Sequence, residues 1–102
     1  MPKYDKLVRD RIPEIISNEG KKAVTHIAAQ DEYEKRLREK LKEEATEAYT
    51  SGKEEELADV LEVVYAMCDL KGIPFSKIEE IRKKKATARG SFSKRIVLDS
   101  VE

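Results

Sequence analysis

The 102-residue chain has no tryptophan, two phenylalanines, one histidine and one cysteine, and its 21 Lys and Arg cancel its 21 Asp and Glu. Each shortage excludes something. With so few aromatic rings, a core has to be built mostly from Leu, Ile, Val and Ala. A lone Cys68 rules out an intrachain disulfide and any paired-cysteine metal site. Set in an apolar helical pattern, it reads as a packed thiol rather than a nucleophile. No stretch approaches the ~18 apolar residues of a membrane span, and the opening MPKYDKLVRD has no apolar signal region. The expectation is a soluble, cytoplasmic protein with no membrane partner. Zero net charge argues against a coat for a nucleic-acid polymer, which needs an excess of positive charge. The length suits a single domain, residues 1–102.

What the chain does have is charge, 41% of its residues, with acids gathered in the middle and bases toward both ends. Pro13 in a first turn and Gly20 beyond the last bracket a short helix in IPEIISNEG. KKAVTHIAA, with Val24, Thr25 and Ile27 and no helical stripe, is expected to be extended or irregular. A long helix is predicted from Asp31, acting as its cap with Glu34 completing a capping box. Its apolar stripe is Leu37, Leu41, Ala45 and Ala48, and Ser51-Gly52 ends it. The next helix, about Glu54 to Leu70, is apolar almost all round from Leu57 onward and stops at Gly72. It is expected to be the most buried element. Beyond Pro74, Ser76 and Glu79 form a second capping signal for a helix running toward Arg89, closed by Gly90. Ile96-Val97-Leu98 reads as a short strand or an extended clip. The sum is an all-α helical bundle built on a central antiparallel hairpin.

Acids crowd the turn of that hairpin. Residues three or four apart share a helix face, so Glu44 and Glu47 project together, as do Glu56 and Asp59. Eight residues separate Glu47 from Glu56, turn included, so an antiparallel hairpin brings both pairs to one end of the bundle. Asp59 stands out, because Asp is a poor helix former and its neighbours are Leu57, Ala58, Val60 and Leu61. Desolvating such acids without a partner costs about several kcal/mol; a divalent cation removes that penalty, and all-oxygen ligands suit Mg²⁺ or Mn²⁺. The plainer alternative is a solvated helix face on which Glu43, Glu44 and Glu47 pair with Lys40 and Lys42. A carboxylate-held cation keeps positions open for water and for phosphates. Cations for phosphate charge are at hand in Lys83, Lys84, Lys85, Arg89, Lys94 and Arg95, and in Lys6, Arg9 and Arg11. His26 is compatible with a half-buried structural role, a contact with substrate or a part as general base. Tyr33, Tyr49 and Tyr65 are placed either for a core or for stacking on a base.

EEATE from Glu43 to Glu47, followed by ELAD from Glu56 to Asp59, resembles the EExxE…ExxD signature of the all-α nucleoside triphosphate pyrophosphohydrolases. That group includes MazG and phosphoribosyl-ATP pyrophosphohydrolase. The flanking KLVRDRIPEII and RGSFSKRIVL look like a small phosphoribosyl-ATP pyrophosphohydrolase-like branch of it, so the resemblance covers nearly the whole chain. It implies a MazG-like bundle completed by oligomerisation, as a homodimer or homotetramer. It also implies Mg²⁺-dependent cleavage of a nucleoside triphosphate between its α and β phosphates. The metal ligands would be Glu44, Glu47, Glu56 and Asp59, with Glu43 beside them as a supporting group or water-activating base. Phosphate contacts are expected from Lys84, Arg89, Lys94, Arg95 and Arg9. Two features depart from the pattern. The interval between Glu47 and Glu56 is shorter than is usual in MazG relatives, and Ser91 stands where a second glycine is expected.

Overall fold

A computed structural model describes residues 4–102, which form four helices and, among those residues, no strand: α1 Ile12–Asn18, α2 Gln30–Ser51, α3 Glu54–Lys71 and α4 Phe75–Arg89. The all-α class and the central hairpin are as expected. Only two residues join α2 to α3. Gly52 sits at φ +64, the left-handed region that glycine enters without penalty, and its amide bonds the Ala48 carbonyl at 2.8 Å. Lys53 then turns extended and opens α3. So tight a connection forces α2 and α3 to lie antiparallel, and theirs is the main interhelical packing of the chain.

Neither predicted capping box forms. Helix α2 has Ala29 at its cap position, two residues before the predicted cap, so Asp31 falls inside the first turn. There its charge still meets the positive end of the helix dipole, without a capping hydrogen bond. Helix α4 starts at Phe75 behind Pro74, which leaves Ser76 inside the helix and Glu79 paired with Arg82. Residues 21–29 are irregular, as expected. Ile96, Val97 and Leu98 form neither strand nor clip; all three are exposed.

The core is thin. Among the described residues, Leu37, Val63 and Cys68 are the buried apolar ones, and no side chain is wholly sealed. Cys68 is thus the packed thiol anticipated. Helix α3 is less buried than its composition implies, because Leu57, Leu61 and Tyr65, four residues apart on one face, stay exposed. Tyr65 covers part of its ring by stacking on Phe75, centroids 4.2 Å apart. The accessible area is 9492 Å², against about 5,900 Å² for a folded monomer of this mass. The radius of gyration is 17.9 Å, against about 13 Å for a compact chain of this length.

Candidate metal centre

Of the predicted stripe of α2, Leu37 is buried and Leu41 and Ala48 are half-buried, but the remaining position differs. Two helical turns beyond Leu37 lies Glu44, and Glu44 rather than Ala45 occupies the inward place; Ala45 is exposed. Its side chain is 10% exposed. One oxygen lies 3.4 Å from Lys40 Nζ, at ion-pair range. The other, Oε2, is buried with no hydrogen-bond partner. An orphaned carboxylate oxygen of this kind costs about 1–3 kcal/mol or more if nothing binds it.

Around it lie the other three acids. Glu44, Glu47, Glu56 and Asp59 each offer one oxygen, and these four oxygens lie within 4.8 Å of one another. Glu47 follows from the three-residue spacing on α2. Glu56 and Asp59 come from the first two turns of α3, brought alongside by the short connection. Ionised carboxylates are acceptors only, so just a proton or a cation between them turns this proximity into attraction. The charge of Glu44 foremost, then burial, a hydrogen bond that a protonated Glu47 can give to Glu44, and the charges of Glu56 and Glu43 raise the Glu47 carboxyl above its ordinary value. The donor set is all oxygen, supplied by two rigid helices, with one member unsatisfied. It fits a hard divalent cation of the Mg²⁺ or Mn²⁺ kind.

Neighbouring groups set the frame. Ser51, the last residue of α2, donates its hydroxyl to Glu56 Oε1 at 3.2 Å and accepts the Lys53 amide at 3.3 Å, so the turn itself orients one acid. Arg9 donates to Asp59 Oδ1 at 2.7 Å. Glu43 stands outside the cluster, bound to Lys6 at 3.2 Å and to Lys40 at 3.4 Å. Burial would raise its carboxyl, but the Lys6 and Lys40 contacts outweigh that and hold it below its ordinary value. Glu43 thus anchors Lys40 beside Glu44.

Of the predicted phosphate contacts, only Arg9 touches the four acids. Lys84 pairs with Glu80 at 3.2 Å, on an open groove along α4. Arg89, Lys94 and Arg95 line a depression where α4 gives way to the following turn, together with Ser91 and Ser93. His26 is exposed and bonds both oxygens of Glu32, and Tyr49 projects into solvent. Sequence reasoning missed the role of Ser51, taken only as a helix end, and the pairing of Arg9 with Asp59. The first had a signal, since a serine at the end of α2 lies five residues before Glu56. The second spans 50 residues and had none. Among the described residues no helix is long and apolar enough to cross a membrane. Comparison with protein-family models, with curated proteins and with solved structures found no match to this chain.

Proposed function

We propose that this chain is a Mg²⁺- or Mn²⁺-dependent nucleotide pyrophosphohydrolase of the MazG-like kind. Its reaction would convert a nucleoside triphosphate into a monophosphate and pyrophosphate, in nucleotide metabolism or house-cleaning. The reading rests on one observation, the convergence of four carboxylates from α2 and α3, of which Glu44 carries a buried, unpartnered oxygen. The resemblance of EEATE…ELAD to the pyrophosphohydrolase signature turns a metal site into a reaction.

In this reading Glu44, Glu47, Glu56 and Asp59 hold the cation. Bound there, it would stabilise phosphate charge and lower the pKa of water. Ser51 keeps Glu56 turned inward, and Glu43 keeps Lys40 at the back of Glu44. Lys84, Arg89, Lys94 and Arg95 are assigned to phosphate charge, along with Arg9. The active form is a homodimer or homotetramer. Supporting this are the surplus of exposed area over a compact monomer and the apolar row Leu57, Leu61 and Tyr65 on α3. A second copy laid on that row would supply the core that one chain lacks.

The test is pyrophosphate release from a panel of canonical and modified nucleoside triphosphates, with Mg²⁺, Mn²⁺ or EDTA and Asp59→Asn as the blank. Release that needs metal and vanishes in the variant is the expected result. If wild-type protein binds metal yet releases nothing from any nucleotide, the catalytic reading fails and a non-catalytic metal- or nucleotide-binding module takes its place.

A further inference from the structure

Between residue 4 and the start of α1 the chain is a strap lying over the hairpin, and its cations are aimed at the acids. Arg9 reaches Asp59 at 2.7 Å, and Lys6 reaches Glu43 at 3.2 Å. The strap is itself tied down by Arg36 of α2, which donates to the Asp5 carbonyl at 2.9 Å and to the Asp5 carboxylate at 2.8 Å. Asp5 takes φ +44 to present both oxygens to that one guanidinium. The Arg9–Asp59 tether is exposed enough to exchange. In the Arg9–Asp59 pair the side chains retain 57% and 36% of their exposure, whereas the Glu44 oxygen behind them is sealed.

We infer that Arg9 is a placeholder cation, occupying Asp59 in the metal-free protein and displaced when a divalent cation enters the four-acid site. This rests on the metal-site part of the functional reading, and on three observations. Asp59 cannot give its full charge to a cation while a guanidinium holds one of its oxygens. A guanidinium beside a divalent ion is repelled by it, and the exposed position of Arg9 lets that repulsion be relieved by moving into water. The Arg9 side chain has no second carboxylate partner among the described residues, although its carbonyl accepts the Ile12 amide at 3.0 Å. Entry of the metal therefore loosens the strap at Arg9 and frees that charge for an anionic ligand on the same face, coupling cation binding to anion capture. Glu43 is not a member of the four-acid set, so the Lys6 contact persists and acts as the hinge.

Two measurements on full-length protein test this without reference to turnover. The first is the affinity for Mn²⁺, read from the free-ion paramagnetic resonance signal, in wild type and Arg9→Gln. Removing the competitor should tighten binding about two- to fivefold, the range that an exposed ion pair supports. The second is the rate of tryptic cleavage on the carboxyl side of Arg9 and Arg11 in wild type, with and without saturating Mn²⁺. The metal should accelerate it, and metal-free Asp59→Ala, which has no side-chain acceptor for Arg9, should match the metal-loaded rate. Weaker Mn²⁺ binding in Arg9→Gln, or cleavage slowed by the metal, would overturn the placeholder and make Arg9 a support that orients Asp59. Absence of Mn²⁺ binding in wild type and variant alike would overturn the metal site itself, and the placeholder with it.

Discussion

Replacing Glu44 by leucine should make the metal-free protein more stable, which is the reverse of what deleting a charge from a paired helix normally does. The side chain is nearly sealed, its Oε2 has no partner, and three further carboxylate oxygens lie within 4.8 Å. Leucine of similar volume removes the orphaned acceptor and the repulsion together, at the loss of a 3.4 Å contact with Lys40 that Glu43 also satisfies. Removing a buried unsatisfied polar group is worth about 1–3 kcal/mol. For a domain of this size that corresponds to a rise in Tm of very roughly 4–20 °C. The assay is thermal unfolding followed by helical circular dichroism in EDTA and again with Mn²⁺. Wild type should gain on metal addition, by about 2.7 kcal/mol at a hundredfold excess over Kd, and Glu44→Leu should gain little. A Glu44→Leu protein that melts below wild type in EDTA would refute the reasoning, because it would mean that Glu44 stabilises the fold without any cation.

Further outcomes follow from the same geometry. The folded protein binds the Glu47 proton more tightly than the unfolded chain, since its carboxyl is raised from the ordinary 4.5. Metal-free stability should thus fall as pH rises from about that value through the raised one, and Glu47→Gln should abolish this part of the profile in a series of melts. Glu43, whose carboxyl is lowered, contributes in the opposite sense: its stabilisation is complete above the ordinary value and is lost as pH falls through the lowered one. Leu61→Lys, on the exposed row of α3, should reduce the proposed assembly to a lower-mass species in light scattering; an unchanged mass would contradict the proposal that this row is an interface.

The helices were legible because their punctuation is local. Gly52 and Gly72 end α2 and α3 where left-handed backbone is required, and Pro74 fixes the start of α4. The acid cluster was legible too, because three-residue spacing and a two-residue connection leave little freedom in where those carboxylates go. What failed was finer. The capping boxes matched a pattern, yet a cap two residues earlier moves Asp31 out of capping geometry, and the spacing S-x-x-E says nothing about which residue begins the turn. Glu44 was placed beside the buried stripe rather than in it, because Ala45 is the apolar residue and hydropathy alone assigns it the inward place. The face of α3 looked like core because it is apolar, but burial depends on what packs against it, and one chain supplies too little. The Arg9–Asp59 contact joins residues 50 positions apart, and no periodicity reports on that.

The most direct measurement is a crystal of the full chain soaked in Mn²⁺ and recorded at a wavelength where manganese scatters anomalously. The account predicts an anomalous peak between α2 and α3, with oxygens of Glu44, Glu47, Glu56 and Asp59 about 2.0–2.3 Å away, Glu44 Oε2 among them. A peak elsewhere, or no peak with Glu44 Oε2 satisfied by protein or water alone, would contradict it.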